Sequence, residues 1–190
     1  LIEQNAAQID ALAREHGLQD ADKNIANADF YRTNKTECLN IWLKSDVMVE
    51  LFANASQQPL MDNVQGKEAL EKAETAERVL GRLRYVGEHP EMSDQLIIAE
   101  AKDNDDILHD MLLLKATGHE VGTAKARMHI VPLLESEVEL QSLENNILTL
   151  AKNDLFAEHI AHLGEWRIML AESDNRRRGG MGAGVAAAGI

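Results

Sequence analysis

The sequence has little of what marks several functional classes. There is one cysteine, Cys38, in 190 residues, which excludes an internal disulfide, a cysteine-built zinc site and a c-type haem motif. Aromatic residues make up 4% of the chain. Prolines number three, at Pro59, Pro90 and Pro132. Basic residues are outnumbered, 19 Lys+Arg against 32 Asp+Glu, for a formal charge of −13. That balance argues against a nucleic-acid partner, because phosphate binding needs a basic face. No run of about 18–20 apolar residues is present, so no complete membrane span is encoded. A secretory signal with a charged start and a cleavage site is missing too. So are a Gly-rich phosphate loop, a Gly-x-Ser-x-Gly elbow and a Walker pattern. From these absences the chain is expected not to be an enzyme and to carry no cofactor.

What is present belongs to a folded helical protein. Hydrophobic residues make up 45% and charged residues 27%, too apolar for wholesale disorder. One domain is the default at this length, with two small modules as the other option. Ala, Leu, Glu, Lys and Gln dominate, and these favour helix. The only β-like run, Gln95-Leu96-Ile97-Ile98, sits inside a helical pattern. Proline and glycine punctuate helices, and on that basis the spacing predicts four. The first covers about 2–57, broken, if anywhere, around Gly17 to Asp29, with Leu39, Trp42, Val49 and Phe52 on its apolar stripe. The second covers about 63–87 through Leu70, Ala73, Leu80 and Leu83. The third starts near Pro90 and runs to about Ala116 through Leu96, Ile107, Met111 and Leu114. The fourth covers about 123–178, with a heptad seam at Leu133, Leu140 and Ile147 and a kink at Pro132.

Short connections make successive helices antiparallel. The expected fold is therefore all-α: an up-down-up-down four-helix bundle whose first and last helices extend into a membrane-proximal stalk. Residues 1–178 form the domain, with the stalk at 1–29 and 148–178 and the bundle at 30–147. The segment 179–190 contains only Gly, Ala, Met, Val and Ile and is expected to begin a truncated transmembrane segment. Leu1, in place of a start methionine, reads as the mark of an excised or processed chain.

Three stretches carry a family resemblance. Gly87-Glu88-His89-Pro90-Glu91 resembles a short turn between middle helices. Gly118 to Leu134, with Ala124, Ala126, Val131, Pro132, Leu133 and Leu134, resembles an entry to a last helix. Arg176-Arg177-Arg178 before the Gly/Ala run resembles the basic lead into a second membrane span. In these the chain is similar to the extracytoplasmic four-helix-bundle sensory domains of bacterial transmembrane receptors, of the methyl-accepting chemotaxis or CHASE type. The resemblance implies a periplasmic or extracellular homodimer attached to the bacterial inner membrane through flanking helices. It also implies a small acid or amino acid as ligand.

In an acidic protein, inward-facing basic residues are the informative exceptions. Arg82, Arg84, Lys125, Arg127 and His129 are the candidate ligand-binding residues, since arginine can grip a carboxylate with two parallel bonds. The ordinary alternative is arginine paired with nearby glutamate on a solvated face. Asp103-Asn104-Asp105-Asp106 with His109 and Asp110 contains one i, i+3 acid–histidine pair, and a di-metal bundle needs two. Glu158, His159 and His162 offer no matching element, so no metal site is assigned. Cys38 faces Ile41 and Trp42 and reads as a packed thiol.

The expected function is ligand sensing, with helix motion relayed across the membrane. Two other readings stand beside it: a pore-forming or translocating helical protein, and a ligand-free coiled-coil scaffold.

Overall fold

The computed structural model describes residues 6–18, 24, 27–57, 66–99, 101, 103–135 and 137–170. Its order of elements is α1 (Ala6–Glu15), α2 (Ala28–Thr33), α3 (Lys35–Lys44), α4 (Asp46–Ser56), α5 (Lys67–Glu88), β1 (Gln95–Ala99), α6 (Asn104–Ala116), β2 (His129–Leu134), α7 (Glu137–Leu150), α8 (Asp154–Leu163) and β3 (Met169–Leu170). The chain forms two compact units. The first comprises 1–93 and 108–119, and the second comprises 94–107 and 120–190.

The first unit is helical. Short polar side chains divide the segment expected as the first helix, once at Asn27, inside the break expected around Gly17 to Asp29, and again at Ser45, where none was expected. The Asn27 side chain accepts from the amides of Asp29 and Phe30 and starts α2. The Ser45 hydroxyl accepts from the Met48 amide and starts α4. Such side chains satisfy the orphan donors of a new helix better than they continue an old one. Helix α3 buries Cys38, Leu39, Ile41, Trp42 and Leu43, and α1 meets it with Ile9 and Ala13 fully buried. Tyr31 stacks on Trp42 at 4.9 Å between ring centroids, and Phe52 lies 5.0 Å from the same indole. Two long side chains close the unit by donating to helix ends. Lys115 Nζ reaches the Leu43 carbonyl at 2.7 Å, and Arg84 donates to both the carbonyl and the hydroxyl of Ser56.

The second unit contains a sheet of three parallel strands in the order β1-β2-β3. Gln95 to Ala99 pair with His129 to Leu133, and Leu133 and Leu134 pair with Met169 and Leu170. The central strand is buried at five of six positions, as a parallel strand covered on both faces should be. Pro132 lies within it. The His129 amide donates to the Asp94 carbonyl at 2.7 Å, so His129 and Val131 turn their polar groups to β1. Alternation then turns those of Ile130 and Pro132 to the other flank, where β3 has not yet begun. The missing proline N–H therefore costs no ladder bond.

These findings overturn the all-α four-helix bundle with its stalk. The described residues hold eight helices and the parallel sheet. The expected third helix is β1 followed by α6. The expected fourth is β2, α7, α8 and β3. Gln95-Leu96-Ile97-Ile98 has the β-branched content of a strand, and its partner is 34 positions away in the chain, out of view of any helical window. Asn153 caps α8 through the Phe156 amide, and Gly164 ends it in the left-handed region. The segment 179–190 lies outside the described residues.

Candidate functional site

Parallel strands send all their carboxyl ends to one edge, and ligands of open α/β sheets bind in the loops there. Here that edge is acidic. After β1 come buried Ala101 and then Asp103, Asn104, Asp105 and Asp106, which open α6. Asp103 and Asp106 cap each other: the Asp106 amide donates to Asp103 Oδ1 at 3.1 Å and the Asp103 amide to Asp106 Oδ2 at 3.3 Å. Carboxylates in a first turn also suit the positive end of the helix dipole. Asn104 Oδ1 is buried and has no hydrogen-bond partner among the described residues.

Glu135 is the first residue past the central strand. Its amide donates to Glu139 Oε2 at 2.8 Å, which fixes the backbone as it turns into α7. The Glu135 carboxylate is half-buried and makes no hydrogen bond or ion pair among the described residues. After Leu170 the sequence continues outside the described residues. The described part of this edge presents acceptors, namely carboxylates and one orphan amide oxygen. Its acceptors suit a proton or a positively charged group and repel a bare anion. Among the described residues no group of three or more His, Cys, Asp and Glu could hold a metal ion.

The amino edge is built differently. Arg167 donates from Nη1 to Asp94 Oδ2 at 2.9 Å and from Nε to Glu165 Oε1 at 2.7 Å. The Arg167 hydrogen bond holds the Asp94 carboxyl below its ordinary range, and those two carboxylates raise the guanidinium in turn. His159, fully buried, accepts the Gly122 amide at Nδ1 (3.3 Å). Its Nε2 then carries the proton and donates to the Met128 carbonyl at 3.0 Å. Burial is the main reason its pKa is lowered, with His129 and His162 adding repulsion.

The five residues expected to bind a ligand divide between the units. Arg82 is exposed on α5, and half-buried Arg84 is spent on Ser56 in the same unit. Lys125 and Arg127 are exposed in the loop before β2, and His129 is buried in that strand with Nδ1 unpartnered among the described residues. Glu135, Trp166 and Arg167 were not singled out in the sequence, and Asn104 was named only within the acidic run 103–106 weighed for a metal. A signal existed for Glu135, an acid directly after the apolar run Ile130 to Leu134, but it has meaning only once that run is a strand.

A family model, phosphoenolpyruvate carboxylase, matches residues 43–185. That is well over half of the chain, which belongs to this family. No curated protein and no solved structure matches it. The match overturns the resemblance to receptor sensory domains, and with it the expected ligand-sensing chemoreceptor function. Val131-Pro132-Leu133-Leu134, taken for the entry to a last helix, belongs to β2. The expectation that the chain is not an enzyme falls as well, since the family is one of carboxylases. It rested on missing local motifs, and a site gathered from strand ends need not leave one. Periplasmic placement on a bacterial inner membrane loses its basis too. Among the described residues no helix is long and apolar enough to cross a membrane.

Proposed function

We propose, with membership of the phosphoenolpyruvate carboxylase family as the premise, that this chain acts in the carboxylation of phosphoenolpyruvate. The reacting groups would meet at the carboxyl edge of β1, β2 and β3. The observation that carries the placement is Glu135, a half-buried carboxylate without a partner among the described residues, directly past the central strand. The matched span, 43–185, contains all three strands and the residues that follow β1 and β2.

The substrate is a small enol phosphate bearing a carboxylate, so it arrives with several negative charges. Against a carboxylate 4 Å away each such charge meets about 4 kcal/mol of repulsion at an effective dielectric of 20. The acidic edge therefore fits a divalent cation between the two. Mg²⁺ is commonly held by one or two carboxylates, with substrate phosphate and water completing its shell. Glu135 is the described carboxylate that would hold it, and the charge it supplies would neutralise the phosphate oxygens. The backbone at Glu135, fixed by Glu139, sets where that carboxylate sits. The Asp103–Asp106 capping pair fixes the neighbouring turn.

The test is phosphate release by the full chain, dependent on phosphoenolpyruvate, bicarbonate and magnesium together. Glu135→Gln should lower the rate at least about a hundredfold, as expected when a group acting on transition-state charge is removed. Its melting temperature should be unchanged. Phosphoenolpyruvate with magnesium should also shift the amide resonances of Asp103 to Asp106 and of Glu135. Equal rates in the two proteins, or neither turnover nor shifts in the native chain, would sink this reading.

A further inference from the structure

We propose that Trp166 and Arg167 are positioning residues, which fix β3 against β2 from the amino edge and thereby hold the Leu133–Leu134 step that delivers Glu135 to the carboxyl edge. The proposal rests on the reading of that edge as the site.

The described residues of β3, Met169 and Leu170, are both exposed. What secures β3 lies just ahead of it. The flank of β2 that faces β3 offers the polar groups of Ile130 and Pro132 before pairing begins at Leu133. Pro132 has no N–H to offer. The Ile130 carbonyl is taken by the Trp166 indole N–H at 3.0 Å. The same indole meets Phe156 of α8 edge-on, with centroids 5.3 Å apart. The tryptophan thus supplies on this flank a donor that β3 begins too late to supply.

Arg167 adds the lateral tie. Asp94 directly precedes β1, and Arg167 lies two residues before β3. Their bond at 2.9 Å therefore joins the leads of both outer strands. Glu165 takes the Nε proton at 2.7 Å and fixes the plane of the guanidinium. From Ile130 to Leu134 is about 13 Å of strand at 3.3 Å per residue. The anchors therefore act at a distance and touch no residue of the site. An ion pair this exposed adds little to folding, so its loss should read out in strand register before it reads out in stability.

The experiment uses the full chain with Asp94→Asn, Arg167→Ala, the double variant, Arg167→Lys and Trp166→Phe. Two quantities are measured: phosphate release dependent on phosphoenolpyruvate and bicarbonate, and amide exchange at Met169 and Leu170. We expect Arg167→Ala and Asp94→Asn each to lower kcat about tenfold or more, the scale on which small displacements act. KM should stay within about twofold. The double variant should be no worse than either single one, as for two ends of one contact. Lysine at 167 should recover part of the rate, since it can still reach Asp94. Exchange at both β3 amides should rise in the same variants and in Trp166→Phe. Unchanged exchange overturns the anchoring outright. Faster exchange with unchanged kcat overturns the positioning role, as do strictly additive losses. If the native chain releases no phosphate, the site reading fails instead, and exchange still decides whether these residues hold β3.

Discussion

At the amino edge of the sheet in the second unit, polar groups close on one another. Arg167 holds two carboxylates, Trp166 takes the Ile130 carbonyl, and His159 spends both ring nitrogens on backbone. Buried His129 Nδ1 is the exception. At the carboxyl edge, beside the Asp103–Asp106 capping pair, two groups are left over among the described residues: the Glu135 carboxylate makes no hydrogen bond or ion pair there, and Asn104 Oδ1 is an orphan. An edge whose groups satisfy each other does structural work. An edge whose groups are left over holds free energy that a ligand can recover, because an unmet buried acceptor costs about 1–3 kcal/mol. The division matches the general separation of stability and chemistry between the two ends of parallel strands.

That comparison can be broken most forcefully at Gly122. Its φ is +70°, and a Cβ there would come within 2.3 Å of Leu155 Cδ1. Gly122→Ala should cost about 1–3 kcal/mol, chiefly from positive-φ strain, with a smaller share for displacing the half-buried Leu155 side chain. Denaturant melts should show it as a lower midpoint. A loss under about 0.5 kcal/mol would mean the amino edge is looser than described.

The second test is acid. The pKa of His159 is lowered by burial, so the unfolded chain binds a proton that the folded one refuses. Stability is complete above the unfolded pKa of about 6.5 and falls as pH drops from there toward the lower folded value, by at most about 1.4 kcal/mol per pH unit. His159→Gln should flatten that slope in melts between pH 7 and 5. An unchanged slope would place the acid sensitivity elsewhere.

The third sharpens the contrast at the other edge. Asn104→Ala removes an unmet acceptor, so it should leave the protein as stable or up to about 1 kcal/mol more stable. Turnover should fall at the same time. Lost stability with intact turnover would make Asn104 an ordinary structural residue. The smallest effect is expected in the first unit. Burial pushes the Cys38 thiol up to about 11, so the folded chain should resist alkylation at pH 8 while the denatured chain reacts.

Legibility from the sequence followed the range of the interactions. The helix expected at about 63–87 is close to Lys67–Glu88, because Ala73, Leu80 and Leu83 repeat at helical spacing and all three are buried. Helix α6 ends at Ala116, before Gly118, as the glycine suggested. The sheet was illegible. Parallel pairing joins Gln95 to His129 with a helix in between, and nothing local at Gln95 announces the partner. Pro132 was expected to kink the fourth helix, and it is the late start of β3 that lets it sit in the central strand instead. The heptad Leu133, Leu140, Ile147 then misled directly, since Leu133 is strand while the other two are helix. Glu135 became visible as a candidate only through the strand end next to it, and Asn104, part of the acidic run 103–106 in the sequence, gained a place at the edge the same way.

Pro132 has a consequence beyond its own position. β3 starts opposite Leu133, so the flank of β2 at Ile130 and Pro132 has no strand partner among the described residues, and an open strand flank invites pairing with a foreign chain. On that flank a newcomer would meet a residue with no donor, beside a carbonyl already claimed by Trp166. The proline thus acts as a guard against edge-to-edge association: the missing hydrogen leaves a newcomer on that flank one bond short.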